Sequence, residues 1–229
     1  QFAIEASEAF AQAGYPLGAK ALLLCELDGS EDLVKEDLNK VINILSKASS
    51  VRVSENEEER LLFWKGRKSA FPAVGRLSPD YYCMDGTIPK RFLADVLEKI
   101  SSLSEQYDLR VANVFHAGDG NLHPLILYDA AQPGELEKAE DFGNDILKLC
   151  VDMGGSITGE HGVGIEKLDA MCHQYNSSEL EIFHQIKAVF DPHSLLNPGK
   201  AVPTLHRCAE LGNMHVHNGN LPHPELERF

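Results

Sequence analysis

The sequence predicts an α+β domain: an antiparallel sheet covered by helices on one face, on a split βαβ, ferredoxin-like plan that a second copy would duplicate. Three observations lead there. The stretches along the chain run strand, helix, strand, helix, strand, helix, hairpin, helix, helix, an order that an α+β layer arrangement accommodates. Two apolar runs, 111–115 and 122–128, flank an Asp-Gly turn signal, which pairs neighbouring strands antiparallel. Hydrophobic residues make up 43% of 229, enough for a core. No internal sequence repeat supports the duplication.

Each element has its own reason. Residues 2–13 carry apolar positions at helical spacing and stop at Gly14. Residues 19–27 (Ala-Lys-Ala-Leu-Leu-Leu-Cys-Glu-Leu) are an apolar run that reads as a buried strand ended by Asp28-Gly29. Ser30 is placed to cap a helix through about residue 47, with Glu31 and Asp32 complementing its dipole. Residues 50–53 read as a short strand and 55–67 as a Glu-led helix. Residues 69–80, with two prolines and a glycine, read as an ordered loop. Residues 81–85 form a strand, and Pro89 at a helix N1 position opens a helix to about residue 107.

The hairpin follows. With a two-residue type I′ turn at Asp119-Gly120, His116 lies directly opposite His123, Cβ atoms ~5 Å apart. Residues 135–153 form an amphipathic helix closed by Gly154-Gly155. Ser177 caps a last helix to residue 190, with Glu179 and Glu181 in its first turns, and 191–200 is rich in turns. Residues 1–200 are expected to be one domain and 201–229 a tail.

Composition removes several function classes. With 35 acidic and 21 basic residues the net charge is −14, the wrong sign for nucleic acid, which needs Lys and Arg against phosphates. No apolar run approaches the ~20 residues needed to span a bilayer. Five scattered cysteines without a Cys-x-x-Cys read as reduced thiols in a cytoplasmic setting. The chain begins at Gln1 inside a helical pattern and reads as a piece of a longer protein. An upstream targeting segment is neither seen nor excluded.

Two imidazoles on one sheet face can share a cation, at about 2.0–2.1 Å each for zinc. The hairpin can equally carry two chance histidines, one of them before Pro124. A second stretch, Gly154-Gly155-Ser-Ile-Thr-Gly-Glu160-His161-Gly-Val-Gly164, sets one Glu-His pair among five glycines. Glu160 is a natural third ligand, giving a His₂Glu set with an open position, the arrangement of catalytic zinc. His161 is then left to take or give a proton. The plain alternative is a glycine-rich loop whose glutamate caps a helix.

The loop lacks the Gly-Lys-Ser/Thr ending of a nucleotide-phosphate loop. Among Lys65, Arg67, Lys68, Arg76 and Lys90, the two arginines suit a bidentate grip on a carboxylate; each is otherwise a solvated surface charge. Two imidazoles and a carboxylate accommodate zinc, iron or manganese. The tail histidines His206, His215, His217 and His223 are further possible metal ligands, and the pattern His215-Val-His217 is too short to weigh above chance. A metal-dependent hydrolase on the same residues and a non-catalytic binding module are the rival functions.

Three stretches together resemble the C-terminal, cap half of FAD-linked oxidases: His116-Ala-Gly-Asp-Gly-Asn-Leu-His123, Gly155-Ser-Ile-Thr-Gly-Glu160-His161-Gly-Val-Gly, and Asp191-Pro-His-Ser-Leu-Leu-Asn197-Pro-Gly-Lys200. Val74-Gly-Arg76-Leu-Ser-Pro-Asp-Tyr-Tyr, Asp85-Gly-Thr-Ile-Pro89 and Arg207-Cys-Ala-Glu with Met214-His-Val-His217 resemble its glycolate oxidase branch, related to D-lactate and D-2-hydroxyglutarate dehydrogenases. The resemblance implies that His116, His123 and Glu160 bind a divalent metal, zinc first among candidates, and that His161 is the base. It implies that Arg67 holds the substrate carboxylate, with Arg76 beside it as a candidate, and that Asn197 approaches the flavin.

The D-2-hydroxyglutarate branch carries a lysine near the position of Cys83; its absence here favours a small 2-hydroxy acid such as glycolate or D-lactate over a long dicarboxylate. The implied activity is oxidation of glycolate to glyoxylate with hydride going to FAD. That FAD is held mainly by an N-terminal domain that nothing in this chain resembles, so the fragment alone is expected to be inactive. Implied partners are other glycolate oxidase subunits, including an iron–sulfur subunit, in a cytoplasmic enzyme that reaches the membrane only peripherally, through those partners.

Overall fold

The structure is a computed structural model that describes residues 1–204. The tail histidines, Cys208 and the resemblance at 207–217 lie outside the described residues. The chain divides into two compact units, Gln1–Ser78 and one that begins at Pro79.

The first unit is helical. α1 (Phe2–Ala11) ends where Gln12 turns left-handed and its N–H donates to Glu8 O, just before Gly14. α2 (Glu31–Ile44) follows Ser30, whose side chain makes no cap bond, and runs into a 3₁₀ turn at Leu45–Lys47. α3 (Glu57–Lys68) is capped by the Asn56 side chain, which accepts from the Glu59 N–H. Its three first-turn glutamates and three last-turn cations match the helix dipole at both ends. α1 packs against α3 and against a short α4 (Ala70–Val74).

Three expectations fail in this unit. Residues 19–27 and 50–53 are not strands. No described segment pairs with them, and Leu22, Leu23, Val51 and Val53 are exposed. An apolar run becomes a strand only when a neighbour takes up its N–H and C=O groups. Residues 70–74 are helical where a loop is expected. Pro72 lies in the first turn, where a missing N–H costs nothing, and Ala70, Ala73 and Val74 are buried.

The second unit carries the sheet. β4 (Asn121–Tyr128) is its centre, with β1 (Asp80–Cys83) and β2 (Gly86–Thr87) along one side and β3 (Val111–His116) along the other, all antiparallel. Among the described residues there is one such sheet and no second copy. α5 (Leu93–Tyr107) and α6 (Glu135–Asp152) cover one face. Side chains alternate along a strand, so Leu122 and Ile126 of β4, with Val111 and Phe115 of β3, face the core formed with Val96, Ile100, Phe142 and Ile146. Each fully buried side chain of this size contributes roughly 1.5–3 kcal/mol. At Gly143 of α6 an added Cβ would lie 2.8 Å from the Tyr82 ring, so the glycine sets how closely α6 approaches β1.

α7 (Leu168–Gln174) goes unread in the sequence, being only seven residues long. α8 (Ser177–Phe190) is capped by Asn176 instead of Ser177, in a capping box with Glu179. Pro89 sits at the N-cap of a 3₁₀ turn, Lys90–Phe92, that leads into α5. No helix among the described residues is long and apolar enough to cross a membrane. Cys25, Cys83 and Cys150 are free thiols; Cys172 is disulfide-bonded, a departure from the all-thiol expectation.

Candidate metal centre

The hairpin register differs from the two-residue turn. His116 pairs with Asn121, Phe115 with Leu122 and Val114 with His123. The loop is four residues, 117–120, closed by the Asp119 and Gly120 N–H groups, both donating to His116 O at 3.0 Å. Only Gly120 takes positive φ, at 74°, and a Cβ there would sit 2.2 Å from Ile88 O. That close approach lets Gly120 O accept from the Ile88 N–H at 2.9 Å.

The histidines keep a common face despite the correction. Moving from Asn121 to His123 is two residues, the period of a strand. His116, Asn121 and His123 therefore share the face opposite α5 and α6. The His116 and His123 rings lie 5.4 Å apart, edge to face.

The glycine-rich loop comes to this face from the other side of the sheet. Thr87 and Ser156 bridge their backbones, and a Cβ at Gly155 would lie 1.8 Å from Thr87 O. Beyond that bridge the loop carries Glu160 and His161 over His123. Glu160 Oε1 lies 2.9 Å from His123 Nε2, 4.0 Å from His116 Nε2 and 3.9 Å from His161 Nε2. The His161 ring stacks on His123, centroids 5.0 Å apart and planes 7° from parallel. His123 is buried, whereas His116, Glu160 and His161 are about half exposed. Thr87, His116, Asp119, Asn121, Gly159 and Glu160 line a cleft of about 420 Å³ here.

Donors that share one small divalent cation lie on the order of 3–4 Å apart, given ligand bonds near 2.0–2.2 Å. Glu160 Oε1 lies at or within that distance of His123 Nε2 and His116 Nε2, whereas the His116 and His123 ring centroids are 5.4 Å apart. Burial pushes the His123 pKa down, with His161 and His116 adding to that and Glu160 and Asp85 opposing it. The ring is thereby kept in its neutral, ligating form. Asp85, His123, Glu160 and His161 also offer four ligand atoms within 4.8 Å of one another. The chemistry of these donors suits a cation, and this second group takes in Asp85, to which the sequence reading gave no site role, and not His116.

Asp85 and Asn121 are the residues missed. Asp85 is fully buried. Burial alone would raise its pKa, but hydrogen bonds from Thr158, the His161 N–H and Lys167 overcome this and hold the carboxyl well below its ordinary range. Asn121 lies 3.4 Å from His123 Nε2 through its amide nitrogen, and its Oδ1 is a buried acceptor with no hydrogen-bond partner among the described residues. Asn121 could have been noted for its place between the two histidines. Asp85 follows an apolar strand and gives no signal by spacing. Cys83 shares the His123 face of the sheet, its thiol pushed up to about 12 by burial and then by Asp85.

Arg67 and Arg76 belong to the first unit. Burial lowers the Arg67 pKa, although a guanidinium stays charged; Arg76 stands 5.5 Å over the Phe10 ring. Asn197 sits in the turn after α8 with φ 45°.

Comparison with known proteins agrees with this architecture. Residues 1–201 match the family "FAD linked oxidases, C-terminal domain". Glycolate oxidase subunit GlcD of Escherichia coli (strain K12) is 65% identical over 99% of this chain and 46% of its own length. The same subunit of Bacillus subtilis (strain 168) is 37% identical over 84% of the chain and 42% of its own length. A mitochondrial D-lactate dehydrogenase [cytochrome] of Arabidopsis thaliana is 30% identical over 81% and 33%. The chain thus spans less than half the length of these relatives. In fold it resembles 4-ethylphenol oxidase from Gulosibacter chungangensis in its isoeugenol complex, with a TM-score of 0.54 at 15% identity over 78% of this chain and 38% of that one. The chain belongs to the FAD-linked oxidases and carries their C-terminal domain.

Proposed function

We propose that this chain is the substrate- and metal-binding part of a flavin-dependent dehydrogenase of small 2-hydroxy acids, with glycolate oxidised to glyoxylate as the leading reaction. The observation that carries the proposal is the convergence of His116, His123 and Glu160, at 2.9 and 4.0 Å about one carboxylate oxygen, with His161 stacked beside them. Glycolate oxidase subunits of two bacteria are among the relatives, and others act on D-lactate.

In this reading His116, His123 and Glu160 would hold a divalent cation, zinc by preference and manganese or iron as alternatives. Such a cation supplies Lewis-acid chemistry, lowering the pKa of a bound hydroxyl. FAD, held mainly outside this chain with Asn197 as this chain's contact to it, supplies the two-electron acceptor. His161 takes the hydroxyl proton on its imidazole. The stacked ring fixes its orientation, and its half-exposed position lets the proton pass on to water. Arg67, with Arg76 as the second candidate, would pair with the substrate carboxylate. Glycolate oxidase partner subunits, one with iron–sulfur clusters, would take the electrons onward in a cytoplasmic assembly, attached to the membrane peripherally if at all.

His161→Ala in the whole enzyme tests the division of roles. Turnover should fall by at least about 10²-fold, the scale of a general base, while cation affinity stays near normal. Loss of the cation along with activity would make His161 a ligand and overturn the assignment.

A further inference from the structure

We infer that Asp85 is the positioning residue of this site: one buried carboxylate, at the base of the glycine-rich loop, sets the conformation that presents Glu160 and His161. The inference rests on the proposed cation site for its functional meaning and on hydrogen bonds for its geometry. Asp85 Oδ2 accepts from Thr158 Oγ1 at 2.7 Å, His161 N at 2.9 Å, Lys167 Nζ at 3.0 Å and Gly159 N at 3.1 Å. The Glu160 N–H is shared between Oδ1 at 3.2 Å and Oδ2 at 3.3 Å. Three consecutive N–H groups aimed at one point form an anion-binding nest. Here the anion is the protein's own side chain, 74 to 76 residues earlier in sequence.

The loop has no slack around this anchor. Thr158 Oγ1, while donating to Asp85, accepts from the Gly162 N–H at 2.9 Å, which closes the turn on its far side. A Cβ on Gly159 would meet the Asn121 amide at 2.6–2.8 Å, so the backbone lies flat against the strand that carries His123. Glu160 and His161 are half exposed; their side chains touch His123, but they bury too little to hold the loop backbone. Their placement comes from the backbone, and the backbone from Asp85.

Four donors bond Asp85 Oδ2, and the Glu160 N–H is shared between Oδ2 and Oδ1. Asp85 Oδ1 stands 3.6 Å from His123 Nε2, so it supports the site electrostatically and through the loop. Outer partners of this kind typically change cation affinity 10–100-fold when removed.

The test separates positioning from general stabilisation. Asp85→Asn alone leaves the Lys167 charge buried, so the informative variant is Asp85→Asn with Lys167→Met, in the complete chain. Amide hydrogen exchange should rise at least about tenfold at Gly159, Glu160 and His161 while Leu125 and Ile126 of β4 keep their protection, since local opening and global unfolding are distinct. Titration with Mn²⁺ should weaken about 10–100-fold. Unchanged exchange at 159–161, or equal loss of protection in β4, would overturn the inference. A wild-type chain that binds no Mn²⁺ would overturn the metal reading, and exchange would still decide the role of Asp85. If the double variant does not fold, Thr158→Val, which deletes one donor to Asp85, is read in the same way, with a smaller rise in exchange.

Discussion

The loop that carries Glu160 and the turn that follows α8 are held by the same device, a carboxylate that gathers backbone N–H groups around it, and they differ in where the carboxylate comes from. Asp191 is local: its oxygens accept from Leu195 N at 2.7 Å and Leu196 N at 3.0 Å, and Lys187 one helical turn earlier supplies the cation. Asp85 is remote, on the chain between β1 and β2, and its cation Lys167 is a further distant partner. Lys187 is about one-third exposed and Lys167 is buried. A local cap fixes a turn wherever the helix goes. A remote one ties two distant parts of the chain into a single geometry, which is what a multi-residue site requires.

Deleting each carboxylate should give the largest contrast. Asp85→Ala leaves the Lys167 ammonium buried without its counter-charge, a change that typically costs about 3–5 kcal/mol. Asp191→Ala should cost much less, because Lys187 can turn into water. Denaturant unfolding of the two variants checks this; equal losses would mean that the remote anchor adds nothing beyond a local cap.

Acid should reveal the same ordering with a smaller effect. Both carboxyls titrate below the ordinary value of 3.8, Asp85 against its burial and Asp191 through Lys187. The unfolded chain therefore binds protons first as pH falls. The stabilisation is complete above about pH 4 and is lost as pH drops through the folded values. Stability measured from pH 5 to 2 should flatten most in Asp85→Asn and only slightly in Asp191→Asn. A limb unchanged by Asp85→Asn would contradict the hydrogen-bonded, ionised carboxylate.

What could be read in advance follows the same division between local and remote. The hairpin strands, the shared face of His116 and His123, α5, α6 and the Asp191 turn come from periodicity and neighbouring residues, so they were legible. Even the misjudged turn left the face intact, because the register moved by two. The apolar runs at 19–27 and 50–53 misled because apolar character does not supply a ladder partner. Nothing in the spacing brings Asp85 or Lys167 to Glu160, and the contribution of Asn121 depends on how closely Gly159 packs on it. Long-range polar contacts leave no periodic trace.

The most direct measurement is a titration of the purified chain with Zn²⁺ or Mn²⁺, beside a His116→Ala, His123→Ala double variant with its fold verified. Binding of about one cation per chain, absent in the double variant, is the expected result. A wild-type chain that binds none, or a double variant that binds as tightly, would mean that the 2.9 Å contact between His123 and Glu160 is a hydrogen bond that holds the loop and not one edge of a metal site.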